Sequence, residues 1–483
     1  MMVEAKRIIL FSPMAWEPDE PDIGKSSTKR VGVPLSVLSV ASGLNMDKYD
    51  VRVISGAEAE YIEKVRSVLS NGTICFGISS MTGYQITQGI EIAKIVRSYN
   101  KDIPIVWGGF HPSIFPEQTA KSEYVDYVVR GYGEFTFSDL IRAFEKEVSL
   151  DTVNGITYWD GGNIISAPDR QIKEINSLPP VPYDLVDVPS FLTTELGDRT
   201  LGYLSSRGCP SDCKFCADTV VYKRRWKALS AERVLSDISL FKKKYNIDSV
   251  RYFDSNYFVH EKRVKEICKG MIDRKLNLRW GRVNGSAEFL VRYDSETWEL
   301  MKESGCYSLL VGAESGYRGA LKKVNKRATI EDILKLSELT NKYGIRVIYS
   351  FMLGVPLDIS DYDRQREEFR QELAGTLSLI NELLENTDQL DRIILFRFTL
   401  YPGNSLYDEC TENGWKAPGS LEEWCDNTLW KAKLPWLTDE ESDTINSIIK
   451  LVQRSTPFHK MDNHKSVSLR ILNKVKSLLS LRN

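Results

Sequence analysis

Short apolar runs alternate along the chain with longer stretches whose apolar positions recur every three or four residues. Residues 7–11, 51–54, 74–79, 103–107 and 124–129 read as strands, and 33–44, 60–69, 85–99 and 134–144 as helices. Alternation at this spacing predicts a doubly wound parallel sheet over residues 1–145, with a ligand site at the C-terminal ends of its strands. Glycines gather where such a site would lie: Gly108-Gly109 ends one strand, and Gly131-Tyr132-Gly133-Glu134 opens a helix.

Residues 146–194 have hairpin character and end in Leu178-Pro179-Pro180-Val181-Pro182, which predicts a linker. The strand–helix rhythm then resumes, with strands expected at 203–206, 249–253, 279–283, 308–312, 347–352 and 393–398. Six such strands predict a partial βα barrel over 195–410, not a closed eightfold one. Residues 411–483 read as helical. The fold class is therefore α/β, in two parallel-sheet domains with a helical C-terminal region.

Composition narrows the function. Apolar residues make up 42% and charged residues 27%, the balance of a soluble globular protein. A net charge of −2 gives no global reason to expect nucleic acid. The first apolar run is too short for a signal peptide, and no run approaches the ~20 residues that span a bilayer, so a cytoplasmic protein is expected. Eight cysteines are too sparse for a disulfide scaffold. Cys75, Cys268, Cys306, Cys410 and Cys425 are scattered and read as packing thiols.

The other three are clustered, in Arg207-Gly208-Cys209-Pro210-Ser211-Asp212-Cys213-Lys214-Phe215-Cys216, directly after the first barrel strand. Three thiolates at these spacings can wrap one face of a 4Fe–4S cubane and leave its fourth iron open to a chelating substrate. Zinc fits less well, since His111, His260, His459 and His464 are all remote in sequence. An ordinary ferredoxin-type carrier or sensor would want a fourth cysteine in local register.

This loop, with Phe215 in the aromatic position before the last cysteine, resembles that of the radical S-adenosylmethionine (SAM) superfamily. The resemblance implies a 4Fe–4S cluster on Cys209, Cys213 and Cys216, and reductive cleavage of SAM to a 5′-deoxyadenosyl radical. Matching segments recur at later strand ends: Phe253-Asp254-Ser255-Asn256, Gly312-Ala313-Glu314-Ser315-Gly316, Leu353-Gly354-Val355-Pro356 and Tyr401-Pro402-Gly403. It implies SAM contacts from Phe215, Asp254, Asn256, Glu314, Ser315 and Gly354. Taken singly, Asp254, Glu314 and Ser315 also suit helix caps or turns, and Gly354 a tight turn.

The first domain resembles the cobalamin-binding domain of one branch of that superfamily. The similar segments are Val33-Pro34-Leu35, Gly77-Ile78-Ser79-Ser80-Met81-Thr82, Gly108-Gly109-Phe110-His111-Pro112-Ser113 and Arg130-Gly131-Tyr132-Gly133-Glu134. They imply cobalamin contacts from Ser79, Met81, Thr82, Gly108, Gly109, His111, Gly131, Gly133 and Glu134. The Asp-x-His-x-x-Gly signature that supplies an axial histidine is absent after the first strand, and His111, before a proline, reads as positional. The implied activity is C-methylation of an unactivated carbon through methylcobalamin. Coupling, cyclising or dehydrating radical chemistry without cobalamin is the alternative. The implied partners are a low-potential donor such as flavodoxin or ferredoxin and a small-molecule or lipid substrate. No further catalytic residue stands out.

Trp415, Trp424, Trp430 and Trp436 read as packing residues of the C-terminal region. Residues 465–483 carry Val467, Ile471, Leu472, Val475, Leu478 and Leu479 on one helical face, with Arg470, Lys474 and Lys476 elsewhere. Such a helix can dock on its own domain or make a peripheral contact with an anionic membrane.

Overall fold

The computed structural model describes residues 6–14, 32–171, 174–426 and 433–454. The first sheet contains β1 (Arg7–Ser12), β2 (Asp50–Ser55), β3 (Thr73–Ser79), β4 (Ile105–Gly108), β5 (Tyr127–Val129), β6 (Ile156–Asp160) and β7 (Asn163–Ser166), in the order β2-β1-β3-β4-β5-β6-β7. Its first five strands are parallel. The order reverses at β1, so a crevice opens outside the carboxyl ends of β1 and β3. Ile9 and Phe11 pack on one face with Phe76, Ile78 and Trp107, while Ile8 and Leu10 pack on the other with Val106 and Phe137. Burial on both faces is why these strands read as continuous apolar runs.

The hairpin expected within the linker instead extends this sheet. β6 pairs antiparallel with β5, and β7 with β6. Ile156 is fully buried there, and the Arg130 guanidinium binds the Ile156 and Ala167 carbonyls. The buried face of β6 was masked in the sequence by its exposed tip.

The second unit contains β8 (Thr200–Tyr203), the short β9 (Ser206–Arg207) and β10 (Lys227–Ala228), then β11 (Ser249–Tyr252), β12 (Arg279–Gly285), β13 (Cys306–Glu314), β14 (Arg346–Leu353) and β15 (Leu390–Arg397). The six long strands are all parallel, in the order β15-β14-β13-β12-β11-β8, with β15 and β8 unpaired to each other: a partial barrel, as expected. The strand expected at 203–206 is broken. β8 stops at Tyr203, and Ser206-Arg207 turn to pair antiparallel with Lys227-Ala228. That two-stranded ribbon brackets the cysteine loop.

Alternate barrel residues, among them Val250, Tyr252, Leu309, Val311, Tyr349 and Leu395, join the helices in the main core. Those between them face the concave side. The long helix Tyr362–Asn386 is started by Asp361, whose carboxylate accepts from the Asp363 and Arg364 amides. It buries Phe369, Leu373, Leu377, Ile380 and Leu384 against the barrel.

Residues 405–426 and 433–454 cover both units. The Trp424 indole donates to Gln118 Oε1 at 2.8 Å, and Gln118 Nε2 donates to the Pro418 carbonyl at 2.9 Å. Ile445, Ile448 and Val452 of the helix Asp439–Arg454 join the barrel core. Trp415, Trp424 and Trp436 are buried. Trp430 and residues 465–483 lie outside the described residues. Among those described, no helix is long and apolar enough to cross a membrane.

The long helix touches the loop after β13 backbone to backbone. A Cβ on Gly316 would lie 2.2 Å from the Gly375 carbonyl oxygen. Gly316→Ala is therefore expected to destabilise the protein by about 1–3 kcal/mol through overpacking. A urea unfolding midpoint equal to that of the wild type would show instead that the helix gives way freely.

Candidate functional site

The cysteine loop is held from below by a buried carboxylate. Asp254, at the end of β11, accepts from the Ser205 amide at 2.7 Å and from the Ser205 and Ser206 hydroxyls at 2.6 Å each. Its backbone carbonyl accepts from Asn284. Both carboxylate oxygens are thus spent on the strand that launches the loop, and Asp254 acts as a pin for it. Gly208 has φ +75°, and a Cβ there would sit 2.1 Å from the Arg225 carbonyl, so only glycine fits.

Further contacts hold the loop from the sides. Asn256 Nδ2 donates to Cys209 Sγ at 3.6 Å, Ser211 Oγ donates to Glu288 Oε1 at 2.9 Å, and the Lys214 amide donates to the Val324 carbonyl. Lys326, largely buried, lies beside Cys213 and pairs with Glu314 at 2.9 Å. Burial pushes the Cys213 thiol up to about 11 and the Cys216 thiol further still. Recessed sulfurs of this kind become good ligands when a cationic centre takes their protons' place. Among the described residues, no three His, Cys, Asp or Glu side chains converge on a single ion. Ligands of a cubane sit on different irons and need not converge, so three soft donors on one glycine-hinged loop fit an iron–sulfur cluster.

The other residues expected at a SAM site have these places. Phe215 packs on the apolar cluster shared by the first sheet and the C-terminal segment. Asn256 is buried against Cys209. Glu314 is held at φ +65° and ion-paired to Lys326. Ser315 bonds the Thr376 hydroxyl at 3.0 Å and accepts from the Tyr317 amide. Gly354, at φ +90°, donates its amide to Glu372 at 3.0 Å, and its carbonyl accepts from the Trp436 indole at 2.9 Å. Glu372 and Trp436 thus each take one polar group of Gly354, the residue from which a SAM contact is expected.

The first-sheet loops face the cysteine loop. The Tyr222 ring, just after the cysteines, meets Tyr132 and Phe110 edge-on, and Gly131 approaches the Val221 carbonyl. Glu134 is buried and accepts from Arg207 at 2.6 Å and from Ser39 Oγ at 2.7 Å. Arg207 also binds Ser39 and lies over the Tyr132 ring. Burial works against the Arg207 charge, but Glu134 together with Tyr222, Tyr132 and Asp254 more than offsets it, so the guanidinium stays charged. Glu134 therefore ties the first sheet to the residue two before Cys209.

Other expected cobalamin residues lie around the same crevice. Ser79 ends β3, Met81 is exposed, and a Cβ on Gly109 would lie 2.6 Å from the Ser80 carbonyl. Gly108 ends β4, and Gly133 starts the helix after β5, against Val40. Thr82 Oγ1 bonds His111 Nδ1 at 3.0 Å. His111 is fully buried against Phe115 and Trp424, and burial lowers its pKa to about 3, so the ring is neutral. The exposure that a direct contact from His111 requires is absent; the ring is packed beneath the crevice. Three buried polar atoms here have no protein partner: Ser80 Oγ, His111 Nε2 and Tyr132 Oη. All belong to the loops after β3, β4 and β5; His111 Nε2 lies beneath the crevice, and Tyr132 Oη, on the least buried of the three residues, is the one placed to meet a polar ligand.

Comparison with known proteins decides the family. Residues 22–141 match the family described as B12 binding domain, and residues 203–364 match the Radical SAM superfamily. The chain is a radical SAM protein with a B12-binding domain. It is 27% identical over 400 residues to an uncharacterized methyltransferase of Pyrococcus horikoshii, covering 80% of this chain and 82% of that one. It is 25% identical over 305 residues to the anaerobic magnesium-protoporphyrin IX monomethyl ester cyclase of Rubrivivax gelatinosus, covering 62% of this chain and 54% of the cyclase. The fold is also that of the cobalamin-dependent SAM radical enzyme OxsB, solved with aqua-cobalamin and SAM, at TM-score 0.66 and 20% identity, over 99% of this chain and 76% of OxsB.

Arg207, Lys326, Glu288 and Glu372 were not singled out from the sequence. Arg207 stood inside the cysteine run, where its spacing to Cys209 was the available signal. The other three depend on contacts distant in sequence.

Two consequences are measurable. Glu134→Ala leaves Arg207 buried without its partner and is expected to cost about 3–5 kcal/mol, while Glu134→Leu with Arg207→Met recovers most of it. Equal unfolding midpoints for the single variant and wild type would contradict this. Burial raises Glu372 from its ordinary 4.5 to about 8, against the pull of the Gly354 and Val355 amides. A carboxyl raised on folding stabilises fully below pH 4.5, and that contribution falls as pH rises to about 8. Glu372→Gln should flatten this decline in urea midpoints taken across the same range; an unchanged slope would show that Glu372 does not titrate there.

Proposed function

We propose that this radical SAM enzyme binds a 4Fe–4S cluster on Cys209, Cys213 and Cys216, SAM above the barrel, and cobalamin in the crevice of the first domain, and that it C-methylates a small-molecule substrate. The observation that carries the reading is the facing of the two cofactor loops: Glu134 holds Arg207, and Tyr132 and Phe110 meet Tyr222 just past Cys216. Bound there, the cluster and SAM supply reductive cleavage to a carbon-centred radical, and cobalamin supplies the methyl group.

The chain's own residues bind, orient and exclude water. Asp254 and Gly208 set the path of the cysteine loop, and Asn256 offers its amide to the Cys209 sulfur. Such second-layer bonds tune a cluster and fix its orientation. Lys326, paired with Glu314 beside Cys213, places a cation at the loop's inner side. The long helix locks the neighbouring strand ends: Glu372 holds the Gly354 and Val355 amides, and Thr376 holds Ser315 and the Gly316 amide. A rigid, desolvated floor of this kind favours positioning and keeps water from a reactive radical. Electrons come from a low-potential donor of the flavodoxin or ferredoxin type.

Ring formation, the activity named for the cyclase relative, would use the same loops without delivering a methyl group. Anaerobically reconstituted protein, with dithionite and SAM, is expected to release 5′-deoxyadenosine. The variant with Cys209, Cys213 and Cys216 all changed to Ala should lose both iron and that product. Deoxyadenosine formation by the triple variant would overturn the assignment. S-adenosylhomocysteine formed alongside deoxyadenosine would favour methylation over cyclisation.

A further inference from the structure

The concave side of the barrel carries a charge arrangement that the cofactor sites do not use. Arg251 on β11, Arg282 on β12, Arg346 on β14 and Arg392 on β15 lie between residues that face the helical core. The ladders place them on two adjacent levels: Arg251 pairs with Gly281, Gly281 with Ser308 and Ser308 with Arg346, while Arg392 pairs with Ile348, two residues further along β14. Arg279 joins from the start of β12: its guanidinium and that of Arg346 lie over the Tyr307 ring, at 5.4 and 4.9 Å. Gly202 and Gly281 flank Arg251 on the neighbouring strands; the Phe253 ring, 4.3 Å from the Arg251 guanidinium, packs over Gly202.

The acids in this layer are too few to balance the bases. Glu195 takes Arg251 Nη1 on both oxygens, at 2.7 and 2.6 Å, and lies 3.6 Å from Arg282 Nη1. Asp391 lies 3.8 Å from Arg346 Nη1. Four guanidinium groups thus share two carboxylates among the described residues, while the exposed Arg279 donates to the Leu196 carbonyl at 3.3 Å. The Nε atoms of Arg251 and Arg392 are buried and unpartnered. Burial and the nearby Arg282 charge both pull the Arg392 pKa down, and Asp391 and Glu195 do not fully offset them. Arg282 itself is held at φ +46°, an uncommon conformation for a side-chain-bearing residue, with its amide bonded to Ser308 Oγ at 3.1 Å. A layer serving stability alone would pair its charges, because uncompensated buried charge is costly.

We propose that this arginine layer is an oxyanion subsite for the substrate's own acidic group, a phosphate or a carboxylate. Guanidinium forks bind both anions bidentately, and the surplus charge awaits one. Leu310 and Ile348 lie level with Arg392, and Phe253 and Ile394 lie between the arginines and the cysteine loop. From Arg251 to Asp254 is three residues and from Arg392 to Phe396 four, or roughly 10–13 Å along a strand. The substrate class that fits has an apolar body with its acidic group about that far from the reacting carbon. This rests on the reading of the barrel as the substrate chamber of a radical SAM enzyme.

The test titrates reconstituted holoenzyme with inorganic phosphate and, separately, with succinate, by calorimetry at fixed ionic strength. Wild type should bind one of them, at least tenfold more tightly than Arg392→Gln, with Arg392→Lys intermediate and the outer-surface Lys265→Gln like wild type. Should Arg392→Gln fail to fold, Arg346→Gln, at a partly exposed strand start, should show the same weakening. Preference for phosphate assigns a phosphorylated substrate, and preference for succinate a carboxylic acid. Binding of neither anion, or equal binding by wild type and the arginine variants, overturns the subsite. Deoxyadenosine release by the same wild-type sample is read independently. Its absence would count against the radical SAM reading, whatever the anion titration shows.

Discussion

One buried ion pair sets the relation between the two halves of this protein. Glu134 starts a helix at the crevice of the first sheet, and Arg207 lies two residues before the first cysteine of the loop. Their side chains are 5% and 14% exposed, so either charge left alone would be expensive and the pair resists separation. Ser39 and the Tyr132 ring complete the surroundings of the guanidinium. Specificity of docking, more than net stability, is what such a pair provides. It fixes which face of the B12-binding domain meets the cysteine loop, and the Tyr222 contacts with Tyr132 and Phe110 follow from that docking.

A second constraint works on the barrel side. Glu368, Glu372 and Thr376 repeat every four residues on one face of the helix Tyr362–Asn386. They hold Tyr317, the Gly354–Val355 amides, and Ser315 with Gly316 in turn. One helix thus sets the ends of β13 and β14 together, and Asp254 does the same for the turn after β8. The loops after β8, β13 and β14 are each anchored by a buried polar group whose partner is backbone. Rigid support of this kind suits a site that must hold reactive groups in fixed register.

Much of this was legible in the sequence, because parallel strands buried on both faces write continuous apolar runs and helices write a period near 3.6. The strands of both sheets, and the open six-stranded barrel, follow from that pattern. The cysteine loop was legible because its chemistry needs fixed spacing. The β6–β7 hairpin was misplaced because its polar tip hid the buried Ile156. The break after Tyr203 was invisible because it is imposed by Asp254, far along the chain. The partners of Gly354, Glu372 and Trp436, were hidden because a glycine reveals nothing about which groups its amide and carbonyl meet. His111 read as positional from the proline after it, but the ring that packs on it, Trp424, lies more than three hundred residues on. The arginine layer, too, is scattered over four strands and becomes a cluster only when the ladder registers are known.

In the proposed function, one chain holds an iron–sulfur cluster and cobalamin across the Glu134–Arg207 contact. The most direct measurement is anaerobic purification with added hydroxocobalamin, followed by iron and cobalt determination on one sample. About four irons and about one cobalt per chain is the expected result. Iron without cobalt would contradict the claim: the first domain would then be a scaffold, and the chemistry independent of cobalamin.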